Sequence, residues 1–191
     1  IGYAGYGWGA GLHGRGAPKG RAGPNKHEGD GRSPAGVFAI GQAYGYAPAE
    51  REGLQIAYRT SSAADRCIDD SASAHYNQIV SSDEVAVDWH SAERMRRDDD
   101  LYELAIEIGH NRATAREPAA ADGGSCIFLH VWSGPNSRVT GCTALDKEQL
   151  REIARWLQPN SAVLVALPRA EYAALRRAWE LPDEAFTSLP R

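Results

Sequence analysis

The stretch "FLHVWSGPNSRVTGCTAL", residues 128–145, decides how the whole chain is read. Extended back to Cys126, the run "CIFLHVW" (126–132) is dense in apolar, β-branched and aromatic residues and is bounded by Gly124 and Gly134, as a central strand would be. Alternation then puts Cys126, Phe128 and His130 on one face and Ile127, Leu129 and Val131 on the other. Twelve residues after His130, Cys142 follows Gly141 in a polar turn, and helical periodicity begins at once. A cysteine just ahead of a helix meets unpaired backbone N–H groups and the positive end of the helix dipole, both of which stabilise a thiolate. The same N–H groups suit a developing oxyanion, and Gly141 lets a substrate approach without a Cβ in the way. A neutral imidazole within hydrogen-bond reach takes a thiol proton. Yet buried cysteines are more often inert, and a histidine at a strand end is more often a satisfied polar group. Spacing alone leaves both readings open.

Downstream of Cys142 the pattern predicts two helices, over 146–158 and 168–180. Asp146 is placed to N-cap the first, with Gln149 three residues on, and Leu150, Ile153, Ala154 and Leu157 recur at helical spacing. Pro168 opens the second, which carries Tyr172, Leu175 and Trp179 on one face. Between them "AVLVAL" (162–167) reads as a buried strand.

Upstream, short strands dominate. "LYELAIEIG" (101–109) alternates, with Tyr102, Leu104, Ile106 and Ile108 on one face. "LQIAYRT" (54–60) and "EVAVDW" (84–89) read as further strands, and a turn at 33–36 feeds a strand at 37–41. "SAERMRR" (91–97) reads as one or two helical turns capped by Ser91, and "CIDDSASAHYNQIVSS" (67–82) as a surface excursion. The glycine-rich opening reads as a strand, a turn and a mobile loop through Lys26, and residues 110–125 as a long irregular loop of the kind that is functional or disordered. Strands first and helices last, without βαβ alternation, describe a mainly β chain of one domain over 1–191.

The bulk numbers agree. With 191 residues the chain needs no disulfide framework to fold. A net charge of −4 without a basic block argues against nucleic acid. No apolar run is long enough to span a membrane. There is no HExxH, paired CxxC, P-loop or GxSxG, and "DWH" (88–90) and "HN" (110–111) lack the spacing of a four-ligand metal site. Three cysteines, Cys67, Cys126 and Cys142, leave one thiol over if any two pair. Ile1 in place of Met is expected of a processed or trimmed chain.

"EGDGRSPAGVF", "CIFLH" and "TGCTAL", taken in order, resemble the L,D-transpeptidase catalytic domain of the YkuD type, from bacterial cell-wall enzymes. "DWHSAERMRR", "IEIGHN" and "LPRAEYAALRRAWELP" are similar to a branch made of this domain alone. The resemblance implies a β-sandwich-like fold with the cysteine on a loop beside the histidine-bearing strand. It makes Cys142 the nucleophile, His130 the proton acceptor, Gly141 the glycine before the nucleophile, and the N–H groups of Thr140, Gly141 and Cys142 the oxyanion hole. It implies peptidoglycan stem peptides as substrates, no metal or organic cofactor, acylation by carbapenems, and an exported enzyme of the periplasm or cell envelope. Water as acceptor (an L,D-carboxypeptidase) and a non-catalytic wall-binding module are the alternatives.

The widespread motif has Ser, His, Ile or Val, and Arg where this chain has Val139, Thr140, Thr143 and Ala144, and its His-to-Cys gap is longer. If the absent Arg holds a substrate carboxylate in the family, that role here either falls to another cation, Arg32 or Arg138, or is absent, and His110 and Asn111 are expected pocket residues by position. With Cys142 required as a free thiol in an oxidising compartment, Cys67 and Cys126 are left either as a disulfide or as two separate buried thiols. A sortase-like transpeptidase would place Thr before the cysteine and an arginine near it. Here Gly141 precedes Cys142 and Arg151 falls in the helix.

Overall fold

A computed structural model describes residues 1–183; the last eight residues of the expected 1–191 domain lie outside the described residues. In chain order the elements are β1 (Tyr6–Trp8), β2 (Ala10–Gly11), β3 (Gly14–Arg15), β4 (Ser33–Gly45), α1 (Ala49–Glu52), β5 (Tyr58–Thr60), β6 (Asp65–Ile68), β7 (Ile79–Ser81), β8 (Ala92–Arg94), β9 (Leu104–Ile108), β10 (Phe128–Val131), β11 (Thr143–Leu145), α2 (Lys147–Trp156), β12 (Val163–Ala166) and α3 (Arg169–Leu175). The fold is mainly β: a curled, mixed half-barrel sheet with two short C-terminal helices.

The main sheet runs β1-β4-β9-β10-β11, with β5 and β12 also paired to β4. β4 makes the curl. It begins beside β1 and β12, passes a register shift between Ile40 and Ala43, and ends beside β9 and β5. The turn expected at 33–36 is therefore the first third of a long strand. Gly36 sits at φ 147, and a Cβ there would overlap the His13 ring, so glycine is what lets that ring lie on the strand.

β10 is central, antiparallel to β9 and parallel to β11. Its alternation sorts two cores. Ile127, Leu129 and Val131 join Leu104, Ile106, Ile108 and Phe38 in an aliphatic core, which α2 closes with Leu150 and Ala154. Phe128 faces the other way, into a cluster with Tyr102, Met95, Cys67, Cys126 and Cys142. A separate antiparallel sheet, β7-β6-β8, supplies Cys67 to that second cluster.

Several local expectations change. Residues 92–94 form a strand, because β6 offers them a hydrogen-bonding edge that overrides helix propensity. Residues 84–89 are not a strand, 54–60 is strand only at 58–60, and the 67–82 excursion contains β7. The strand at 162–167 is shorter and half-exposed. The second helix ends at Leu175 rather than 180. Residues 176–180 turn off through Glu180 at φ 52, just before Pro182, whose ring disfavours helical backbone at Leu181. Lys26 is anchored, not mobile: its N–H donates to the Trp8 carbonyl, and the residue is buried.

Candidate active site

Cys142 is the free thiol among the described residues, and it is buried. It stands at the entry to β11, beside Phe128 and two residue pairs short of His130, which faces Ala144 across the ladder. The Phe128 N–H donates to Sγ at 3.3 Å, and the thiol donates to the Cys126 carbonyl at 3.3 Å. Ser33 Oγ donates to the Cys142 carbonyl at 2.9 Å and accepts from Gly2 N, while Tyr3 N donates to Val139 O. The cysteine loop is thus pinned from below by the N-terminal segment.

The sequence pattern placed a helix immediately after Cys142. The structure places β11 between them, and Asp146 caps α2 by accepting from Glu148 N and Gln149 N. The helix dipole, which fades within a turn, does not reach the sulfur. Burial, reinforced by the charge of Glu93, pushes the thiol up to about 12, so the resting group is a neutral thiol. The depressed value expected of a helix-start cysteine is not found here.

His130 is also buried. Its Nδ1 lies 2.7 Å from the Val131 carbonyl, which assigns the ring proton to Nδ1 and makes Nε2 the acceptor nitrogen. Burial lowers its pKa, with Arg97 adding to the effect, so the ring is neutral near pH 7.

Cys67 and Cys126 are joined by a disulfide that spans 59 residues. Cys126 sits at φ 53, a left-handed backbone just ahead of β10, and Asn77 Oδ1 accepts its N–H at 3.0 Å. The carbonyl that receives the thiol therefore belongs to a residue held by both a covalent bond and a side-chain amide.

Other expected residues lie elsewhere. Asn111 bonds Ala120, Gly124 and Arg15 and braces the long 110–125 loop, while His110 joins Gly123 O and Ala10 N. Neither lines the pocket at Cys142, and His110 stands one layer behind it, with Gly124 and Lys26 between. Arg32 reaches the carbonyls of Ala4 and Tyr6, and Arg138 is exposed in the loop before the cysteine. Gly141 is buried, and a Cβ there would press on Ile127 at 3.2 Å.

Three groups were not singled out from sequence. Tyr102, expected on the aliphatic face, is turned into the second cluster by the bend at Asp99–Leu101, where Asp99 accepts the Leu101 N–H. Glu93, expected on a helix, is a strand residue opposite Cys67, and its carboxylate lines the Cys142 pocket with Asp69 and Glu28. The alternation of Glu93 and Met95 against Arg94 and Arg96 was the signal for that strand. Glu28 accepts from Tyr76 Oη at 2.6 Å and Ser125 Oγ at 2.7 Å. Among the described residues no His, Cys, Asp and Glu group is arranged to hold a metal, and no helix is long and apolar enough to cross a membrane.

Residues 5–165 match the model of the YkuD family, the L,D-transpeptidase catalytic domain. No curated protein and no solved structure matches the chain.

Proposed function

Because the chain belongs to the YkuD L,D-transpeptidase catalytic domain family, whose activity is cysteine-dependent cross-linking of peptidoglycan, we propose that Cys142 is its acyl-transferring nucleophile. One observation carries this reading: within the matched span, the free thiol lies two ladder steps from His130, at a pocket wall formed by Gly141 and Cys142. The sulfur attacks the carbonyl between the diamino acid at the third stem position and the terminal D-alanine. D-Alanine leaves, and the thioester passes to an amine of a second stem or to a free D-amino acid. The backbone N–H groups of Thr140, Gly141 and Cys142 serve the oxyanion, and His130 Nε2 serves as a proton acceptor in the cycle. No metal or organic cofactor takes part. Arg138, exposed on the cysteine loop, is better placed to meet a substrate carboxylate than Arg32, whose guanidinium is occupied by carbonyls. The enzyme works outside the cytoplasm, in the periplasm or cell envelope, where the Cys67–Cys126 bond is stable.

Incubation of purified protein with muropeptides, read by mass spectrometry, tests this. Dimers linked between the third residues of two stems are expected, lost by at least about a thousandfold in Cys142→Ala. Tripeptides alone would make water the acceptor. Unchanged muropeptides, with no meropenem adduct on the wild type, would sink the enzyme reading in favour of a wall-binding module.

A further inference from the structure

Cys126 is tied twice to the end of β6. Cys67 supplies the disulfide. Asn77 supplies the second tie. Its own N–H donates to the Ile68 carbonyl at 2.8 Å, so the residue hangs on the last position of that strand. Its backbone lies at φ 59, a conformation that asparagine tolerates better than most residues. The side-chain amide then meets three backbone groups at once. Nδ2 donates to the carbonyls of His110 at 2.9 Å and Asn111 at 2.8 Å, and Oδ1 accepts the Cys126 N–H at 3.0 Å. The chemistry of the three partners fixes this orientation, because the flipped amide would set an oxygen against two carbonyls and a nitrogen against an N–H.

The third of these bonds leads to the sulfur. Cys126 is a non-glycine residue at φ 53, and a left-handed backbone of that kind persists where its surroundings hold it. Pairing with β9 starts one residue on, where Ile127 O accepts the Ile108 N–H at 2.9 Å. The Cys126 carbonyl therefore sits between a tethered N–H and the first ladder bond. The Cys142 thiol donates to that carbonyl at 3.3 Å, and Phe128 N–H donates back to Sγ at 3.3 Å. The sulfur thus rests in a notch cut by residues 126–128, and Asn77 holds the upstream edge of the notch.

Resting on the reading of Cys142 as nucleophile, we infer that Asn77 is a positioning residue for acyl transfer, acting through the Cys126 peptide to set where the sulfur rests. Its bonds to His110 and Asn111 staple the long loop and serve stability. Its bond to Cys126 serves the chemistry. The proton still passes to His130, and Asn77 touches neither substrate nor sulfur.

Two substitutions separate the staple from the positioning bond. Asn77→Gly suits the left-handed backbone and deletes all three side-chain bonds. Asn77→Asp keeps an acceptor for the Cys126 N–H but turns a carboxylate on two carbonyls. Both variants are expected to melt at a lower temperature than the wild type. In the folded protein, Asn77→Gly is expected to be acylated by meropenem about a hundredfold more slowly. The midpoint of its iodoacetamide rate–pH profile is expected to fall by about one unit, because a thiol that loses its acceptor ionises more readily. Asn77→Asp is expected to keep most of the wild-type acylation rate, with a midpoint that does not fall. Equal acylation losses in the two variants, or losses that follow the fall in melting temperature, overturn the inference and leave Asn77 a staple of the loop. An unmoved midpoint in Asn77→Gly overturns it too. If Asn77→Gly does not fold, a large acylation loss in folded Asn77→Asp decides against it alone. A wild type that takes no meropenem adduct removes the nucleophile reading instead, and the alkylation midpoints then judge the placement of the sulfur.

Discussion

The two faces of the β9–β10 pair are built from alternating residues of the same few strands, yet they do different work. One buries Leu104, Ile106, Ile108, Leu129 and Val131 beneath α2, and its fully buried members are all apolar, with Tyr58 packed at the margin. The other carries Phe128, His130, Tyr102 and Cys142, closed by a disulfide and by a strand that turns a carboxylate inward. Alternation lets one strand hold an apolar scaffold on one side and titratable groups on the other. The two faces should therefore fail separately when perturbed.

The largest effect is expected on the scaffold. Ile106 is fully buried, and Ile106→Ala should cost about 4 kcal/mol in urea unfolding. Meropenem acylation of the folded fraction should be unchanged. A parallel fall in acylation would show that the faces are coupled.

His110 is buried two residues beyond β9, with its ring edge-on to Phe38 at 5.8 Å. Burial lowers it to about 4, against an ordinary value near 6.5 in the unfolded chain. Between these values the unfolded chain binds a proton that the fold does not. Stability is thus complete above about pH 6.5 and is lost as pH falls toward 4, by about 3 kcal/mol. His110→Gln should flatten that part of the stability–pH curve in thermal melts. A curve that keeps its full slope would assign acid sensitivity to other groups.

The smallest effect concerns α2. Asp146→Ala removes the cap and should cost about 1 kcal/mol, with no change in the pH profile of Cys142 alkylation. A shift in that profile would put the helix dipole back at the sulfur.

What could be read in the sequence divides along the same line. Strand β10, the aliphatic set on β9 and the Asp146 cap follow from periodicity and local chemistry, which neighbouring residues determine. Cys142 and His130 stand out in the sequence as a candidate pair through motifs that resemble the family's, whereas their spacing alone leaves the pair open. Glu93 and Tyr102 do not stand out. Glu93 becomes a strand residue only because β6, distant in sequence, presents an edge, and Tyr102 leaves its expected face because Asp99 captures the Leu101 amide just before β9 begins. The setting of the thiol was misjudged for a similar reason. Parallel pairing with β10 draws residues 143–145 into the sheet and pushes the helix start away.

The disulfide at Cys126 has a practical consequence at the bench. Reductants are the usual means of keeping a purified cysteine enzyme alive, and here the thiol's hydrogen-bond acceptor is the carbonyl of a bridged cysteine. A dose strong enough to open that bridge would free two more sulfurs beside Cys142 while loosening the turn that holds it. Activity plotted against dithiothreitol concentration should rise and then fall, and storage buffers are best chosen from the rising side.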